Sequence, residues 1–214
     1  VNRLTLRAAV ARLEALGLVS AQHGSGTVVG DYRSHGVLEA LPELLRIARE
    51  RDHDAYATLL RDALELRRTI ASEAVALAAE RHTEADLAVI RARVAEQGAR
   101  VADPIAFARG DLEVARSVVR AARNLGLELL LNALARYPAD DPALTRAMYP
   151  DPRAQFAHYE VLLGLLVARD ASHARETMRA ALEVIDSLTI ARVTRTLAPV
   201  AHLEDLKETK GTLP

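Results

Sequence analysis

The sequence contains no cysteine among its 214 residues. This excludes a disulfide framework and any mechanism that depends on a thiolate. The absence is typical of proteins from a reducing compartment, so we expect a cytoplasmic location. No apolar run approaches the roughly 20 residues that cross a bilayer, and no signal peptide is visible. We therefore predict no membrane partner.

Aromatic residues are also scarce, at 3% of the chain, whereas 50% of the residues are hydrophobic and 27% are charged. This composition is typical of a folded globular protein built on Leu, Val and Ala. The formal net charge of −1 excludes a generally basic protein, yet residues 1–12 contain three arginines and no acid. Such a local excess of positive charge predicts a DNA-facing element in an otherwise neutral molecule.

Signatures of catalysis are lacking too. No serine lies in the setting of a nucleophile elbow, and the run Gly24-Ser25-Gly26 is not followed by the Lys and helix start of a phosphate-binding loop. We therefore predict that the protein is not an enzyme, and we assign no catalytic residue and no cofactor.

The N-terminal segment has the pattern of a helix followed by a hairpin. Leu6, Val10 and Leu13 recur on one helical face, and Gly17 supplies the stop. Short strand-like runs at residues 18–19 and 27–29 flank a glycine-rich turn, which predicts a small β-hairpin. A helix that begins with arginines and leads directly into a hairpin is suited to DNA, because its N-terminus can reach base edges and phosphates.

This segment resembles the second half of the winged helix-turn-helix of GntR-type bacterial repressors. The matching residues are Arg3, Thr5, Arg7, Leu13, Gly17-Leu18-Val19 and Gly24-Ser25-Gly26-Thr27. The family has two further helices before this point, so we expect additional residues upstream. We assign residues 1–31 to an incomplete winged helix, residues 32–36 to a linker, and residues 37–193 to an antiparallel all-α bundle. Residues 194–214 are predicted to form a partly ordered tail.

The resemblance also implies roles at the DNA. Arg3 and Arg7 lie four residues apart on one side of the helix; Arg3 is assigned to a guanine edge and Arg7 to a phosphate or base. Thr5 is assigned to a phosphate or a thymine methyl group. Asn2 is a helix N-cap by type that is also placed to reach a phosphate. The hairpin tip, with His23 and Gly24, is expected to enter the minor groove.

The helical region resembles the ligand-binding and dimerisation domain of the FadR subfamily. The resemblance is carried by residues 64–70, 83–87, 111–112 and 121–124, and by the two last helices around Arg169-Asp170. It implies a homodimer that binds double-stranded operator DNA. It also implies a small-molecule effector inside the bundle that changes the affinity for the operator.

Many FadR-type domains hold a divalent metal with an Asp, a His four residues later, and two further His. This chain has Asp111, but Ala115 and Ala181 occupy two of the partner positions, and His158 or Tyr159 is all that remains of the middle ligand. We therefore assign no metal residues.

The effector is predicted to be a fatty acid or acyl-CoA, with a small carboxylate as an alternative. Arg67 is the natural anchor for a carboxylate, because a guanidinium forms two parallel bonds with it; the competing interpretation is a solvated arginine paired with an acid. Asp111 either lines the pocket or caps and pairs elsewhere, and Asn124 is either a ligand contact or a C-cap. His158 is a ligand contact or an ordinary core or rim histidine, and Tyr159 completes the candidate set.

Two alternative functions remain open at this point. One is a metal-dependent sensor of small carboxylates within the same family. The other is a ligand-binding or scaffold module that does not bind DNA.

Overall fold

The computed structural model describes residues 2–22, 26–135 and 141–197, and these residues are mostly helical. Helix α1 spans Arg3–Ala15, and strands β1 (Val19–Gln22) and β2 (Gly26–Val29) form an antiparallel hairpin in which Val19 pairs with Val29. The Glu14 carboxylate accepts a hydrogen bond from the Ala21 N–H at 3.0 Å. This bond ties the hairpin to the helix, so the predicted helix-and-hairpin pair is present.

Gly17 is the turning point between α1 and β1. Its φ of +72° lies in the left-handed region, which side chains with a Cβ rarely adopt. A Cβ at this position would lie 1.9 Å from the His35 carbonyl oxygen. Glycine is therefore required both by the backbone conformation and by the close approach of the following segment.

The predicted linker, residues 32–36, is not an irregular segment. Tyr32–His35 form a short helix, α2, whose N-cap Asp31 accepts hydrogen bonds from the Arg33 N–H at 3.0 Å and the Ser34 hydroxyl at 2.7 Å. The Val37 N–H then donates to the Leu16 carbonyl at 3.3 Å. The connection is thus bonded to the end of the N-terminal element.

The remaining elements are helices, several of them with local caps that the sequence predicts. A 3₁₀ turn at Leu38–Ala40 precedes α3, and another at Gly98–Arg100 follows α5. The helices are α3 (Leu41–Arg51), α4 (His53–Arg81), α5 (Glu84–Gln97), α6 (Pro104–Ala121), α7 (Leu125–Leu134), α8 (Pro142–Met148), α9 (Pro152–Phe156), α10 (His158–Ala168) and α11 (Ala171–Leu197). Thr83 and Asp86 form a complete capping box at the start of α5.

Some predicted boundaries are wrong. The sixth helix ends at Ala121 and not near Arg123, because Arg123 adopts a left-handed φ of +51°. Asn124 is an N-cap of α7 and not a C-cap. The prolines and aspartates of residues 138–152 predict a loop with room for a short turn of helix, and α8 is the helix found there. Residues 152–168, which the pattern predicts as one helix, are divided into α9 and α10. The predicted tail begins inside α11, and residues 198–214 lie outside the described part of the chain.

Helix α4 is central, and the long α11 packs along it in the antiparallel direction. Two ion pairs join the helices, Arg67 with Asp186 and Glu73 with Arg175. Leu60, Leu64 and Val193 belong to one buried cluster. Residue numbers rise along α4 as they fall along α11, so the two helices are antiparallel. One buried core surrounds Ile90, Phe107 and Leu166, and a second surrounds Leu45, Tyr56 and Leu144. In the described ranges no helix is long and apolar enough to span a membrane.

Candidate functional site

The N-terminus of α1 presents a positively charged, exposed face. Arg3, Thr5 and Arg7 are all exposed, and the first turn contains no acid. The Asn2 side chain accepts a hydrogen bond from the Leu4 N–H at 3.0 Å, as its prediction as an N-cap requires. The positive end of the helix dipole and the two guanidinium groups therefore attract anions at the same place.

His23 and Gly24, which are predicted to contact the minor groove, lie outside the described residues. Both strands of the hairpin are largely exposed, and Val29 is 83% exposed. The hydrogen bond to Glu14 therefore holds the hairpin to α1, and most residues of both strands are exposed to solvent.

A small apolar cavity lies within the helical domain. Its volume is about 40 Å³. It is lined by Leu38, Leu41, Pro42, Leu60, Ala63, Leu64, Arg67, Ala133, Leu134, Leu144 and Met148. Arg67 is the single charged side chain in this lining, and no lining side chain other than Arg67 contains a polar nitrogen or oxygen.

Arg67 belongs to a three-residue ionic cluster at the edge of the cavity. Its guanidinium donates to the Asp186 carboxylate at 2.6 Å, and Arg68 donates to the other Asp186 oxygen at 3.1 Å. Asp186 is only 2% exposed. The Arg67 Nε is buried and has no partner among the described residues. Two cations share one anion, so the cluster has an excess charge of one positive unit.

Arg67 therefore satisfies parts of both sequence-based interpretations, because it faces the cavity and is also paired with an acid. Asp186 was not singled out from the sequence. It lies 119 residues beyond Arg67, and a single acid within a long amphipathic helix has no local signal that marks it as buried.

Asp111 lies in a second polar cluster, which we name the tyrosine clasp and define as Asp111, Tyr149 and Tyr159. The Tyr159 hydroxyl donates to one Asp111 carboxylate oxygen and the Tyr149 hydroxyl to the other, each at 2.6 Å. Removal from water, together with the adjacent Asp111 charge, raises the pKa of Tyr149 well above its ordinary value. The same two causes raise the pKa of Tyr159. Both phenols consequently keep their protons and remain donors.

A buried amide supports the clasp from behind. Gln97 is fully buried and donates to the Phe107 carbonyl at 2.9 Å and to the Tyr159 hydroxyl at 3.0 Å. A Cβ on Gly110 would lie 1.8 Å from the Gln97 side-chain oxygen, so glycine in this helix is what admits Gln97. A glycine in the middle of α6, directly before Asp111, was the sequence signal that could have indicated this close packing.

The remaining predicted effector residues lie elsewhere. His158 is exposed at the start of α10 and does not line the cavity. The Asn124 side chain accepts a hydrogen bond from the Leu127 N–H at 3.3 Å, as a helix cap. Within the described residues, neither side chain forms a hydrogen bond or ion pair with Arg67 or with the clasp.

The residues around Asp111 do not fit the divalent metal of FadR-type domains. Both carboxylate oxygens already accept a phenol proton, and the partner positions at 115 and 181 are alanines. The described residues include no group of three His, Cys, Asp or Glu arranged to hold a metal ion.

Comparisons with known proteins agree with this architecture. The FCD domain family matches residues 62–184. The HTH-type transcriptional regulator Mce2R of Mycobacterium tuberculosis is 31% identical over 197 residues, which cover 89% of this chain and 78% of that protein. The chain belongs to the GntR family of transcriptional regulators, with an FCD ligand-binding domain.

A fatty acid regulator and two solved structures are also similar to this chain. The fatty acid metabolism regulator protein of Klebsiella pneumoniae is 32% identical over 135 residues, covering 63% of this chain and 53% of that protein. Among solved structures, Streptococcus agalactiae GntR is 20% identical with a TM-score of 0.54, covering 87% of this chain and 82% of that one. A structure of Listeria monocytogenes Lar has a TM-score of 0.58 at 20% identity, covering 88% and 80%. These two likenesses show the fold.

Proposed function

We propose that this GntR-family regulator binds its operator as a homodimer through α1 and the hairpin, and that a fatty acid in the Arg67 cavity lowers its affinity for DNA. The observation that carries the effector assignment is a single guanidinium in the wall of an otherwise apolar cavity. Operator binding and a small-molecule effector follow from the family. The effector class, the dimer and the residue roles are the proposed part.

At the DNA, the exposed start of α1 supports the proposed contacts. Arg3 donates to a guanine edge, Arg7 donates to a phosphate or base, and Thr5 contacts a phosphate or a thymine methyl group. Asn2 holds the helix N-terminus in place through its bond to Leu4 and adds its amide to the phosphate contacts. His23 and Gly24 reach the minor groove from the hairpin tip.

In the helical domain, the chemistry of the lining favours a long apolar chain with one carboxylate. The surplus positive charge of the cluster of Arg67, Arg68 and Asp186 is complementary to one carboxylate, and the unpartnered Arg67 Nε supplies a donor for it. A chain of methylene groups matches the leucine and alanine walls. The name of the Klebsiella relative, a fatty acid metabolism regulator, supports this class.

The cavity must widen for such an effector, since about 40 Å³ is well below the roughly 300–1,000 Å³ of typical ligand pockets. Leu38, Leu41 and Pro42 form part of its wall and belong to the segment that directly follows α2. A chain that enters the cavity therefore displaces this segment.

The same segment is hydrogen-bonded to the DNA-binding element, because the Val37 N–H donates to the Leu16 carbonyl at the end of α1 at 3.3 Å. The hydrogen bond to Arg46 lowers the pKa of the Glu43 carboxyl in α3, and the Arg12 charge in α1 makes a smaller contribution to the same shift. Displacement of the cavity wall thus moves α1. The effector shifts the population towards an arrangement in which two recognition helices no longer match two half-sites.

The DNA assignment is tested with Arg7→Ala in the full-length protein, on an operator obtained by in vitro selection from random duplexes. We expect the operator Kd to rise about 5- to 100-fold, the range for one lost base or phosphate contact, with an unchanged melting temperature. The matched control is Arg91→Ala, which removes one exposed arginine from α5 and should leave the Kd unchanged. Equal affinities of the two variants would refute the assignment of Arg7 to DNA, and a selection that enriches no duplex would favour a module without DNA binding.

The effector assignment is tested by fluorescence anisotropy of the operator complex with saturated fatty acids of increasing length and with lactate as a short, polar carboxylate. We expect release by long chains only, and loss of that release in Arg67→Gln. Arg68→Gln is the matched control, because it removes the other Asp186 partner without changing the cavity lining. Release by lactate alone, or equal responses of the two variants, would overturn the fatty acid proposal while leaving operator binding intact.

A further inference from the structure

The tyrosine clasp connects three helices that are separate in sequence. Asp111 belongs to α6, Tyr149 directly follows α8, and Tyr159 belongs to α10. Tyr149 packs against both hydrophobic cores of the bundle. Its neighbour Met148 and the α8 residue Leu144 line the cavity. The clasp therefore holds the α8 wall of the cavity against the rest of the bundle.

We propose that the tyrosine clasp replaces the divalent metal of FadR-type domains: two phenol hydroxyls tie α6, α8 and α10 through Asp111, which does not bind a cation. In metal-containing relatives an ion joins side chains from several helices. Here two hydrogen bonds of 2.6 Å, each to a charged acceptor, join α6 to α10 and to the residue that follows α8.

The donor arrangement opposes a cation at this carboxylate. A metal ion needs oxygen lone pairs, but each Asp111 oxygen already faces a phenol proton. A cation at Asp111 would have to compete with both hydroxyls for the carboxylate oxygens.

The surrounding charges are also unfavourable for a cation. The Arg67 charge is felt at Tyr149, where it partly offsets the rise in the pKa of that phenol. Arg100 donates at 3.2 Å to the side-chain oxygen of Gln97, the amide that bonds the Tyr159 hydroxyl. Positive groups thus act on Tyr149 and on the amide that supports Tyr159, and the positions that would complete a ligand set are Ala115 and Ala181.

The first test measures metal in the full-length protein after incubation with Mn²⁺, Ni²⁺ or Zn²⁺ and desalting. Elemental analysis should find no bound ion that depends on Asp111, and the melting temperature should be unchanged by each ion. Asp111→Asn is the control, because an ion retained equally by the wild type and this variant is held elsewhere. About one ion per chain in the wild type and none in the variant would overturn the proposal.

The second test examines the structural role of the hydroxyls. Tyr149→Phe and Tyr159→Phe each remove one hydroxyl without changing the ring, so the melting temperature should fall by about 3–10 °C. Tyr32→Phe, which alters an exposed tyrosine in α2, should leave it unchanged. If both clasp variants melt within about 1 °C of the wild type, the hydroxyls do not tie the helices and the proposal fails.

Discussion

Asp186→Asn is the substitution that most directly tests the ionic cluster at the cavity edge. Asp186 is 2% exposed and is the shared partner of Arg67 and Arg68. Asparagine has nearly the same shape but no charge. The variant therefore leaves two guanidinium groups close together with no anion between them.

The expected loss of stability follows from the burial of the three groups. Removal of one partner from a fully buried ion pair costs about 3–5 kcal/mol, since the other charge is left uncompensated. The arginine side chains are 27% and 17% exposed, so water screens part of this cost. We expect the free energy of unfolding to fall by about 2–4 kcal/mol.

Urea denaturation at one fixed protein concentration measures this change. With a slope of about 3 kcal/mol per molar urea, the midpoint should fall by roughly 1 M. Asp62→Asn is the matched control, because it neutralises an exposed acid on the same helix as Arg67 and should leave the midpoint unchanged. A midpoint for Asp186→Asn within about 0.2 M of the control would refute the argument that the cluster depends on its buried anion.

Asp186→Asn, which should lower stability, should by contrast strengthen the binding of the effector. Neutralising Asp186 raises the excess charge of the cluster from one positive unit to two and frees Arg67 to bond with a ligand. The affinity for a long-chain carboxylate should therefore rise several-fold even though the protein is less stable. An unchanged or weaker affinity in calorimetric titration would show that Arg67 does not contact the carboxylate.

Three further outcomes are expected. Gly17→Ala should weaken operator binding. It should also lower the stability of the N-terminal element, measured by hydrogen exchange, by about 1–2 kcal/mol or more, because alanine disfavours the left-handed φ and its Cβ would overlap with the His35 carbonyl; unchanged exchange would contradict this. Because the folded pKa values of Tyr149 and Tyr159 exceed the ordinary value of 10, stability should be full below pH 10 and fall above it, and ultraviolet titration should show these tyrosines ionising only on unfolding. The pKa of Asp86 is lowered, chiefly by the hydrogen bond from the Thr83 N–H. The stability of the protein should therefore fall as the pH drops below about 4, and the melting temperature of Asp86→Asn should fall less steeply with pH than that of the wild type.

The sequence predicts most helices correctly because their signals are local. The capping box joins Thr83 and Asp86, which are three positions apart. Asp170 accepts a hydrogen bond from the His173 N–H at 3.0 Å, and Pro104 directly follows its cap Asp103. Such contacts form within one turn of chain. Helix α1 and the hairpin were predictable for the same reason, since Asn2 and Gly17 act on their immediate neighbours.

The break between α6 and α7 shows where local signals conflict. The sequence predicts this break, but Arg123 and not Asn124 takes the left-handed conformation, in which asparagine and glycine are the usual residues. Asn124 instead caps α7 through its side chain, a role that asparagine also favours. Two roles that suit the same residue are therefore not distinguished by the sequence alone.

The amino-acid sequence by itself determined the mostly helical architecture and the exposed, arginine-bearing start of α1, and it singled out Arg67 as a candidate. Only the tertiary structure decided the partners of the candidate residues. Arg67 meets Asp186 across 119 residues, and Asp111 meets Tyr149 and Tyr159 across 38 and 48. Helix periodicity places a side chain on a face of its own helix, but which distant face it meets depends on how α4, α6, α10 and α11 pack together.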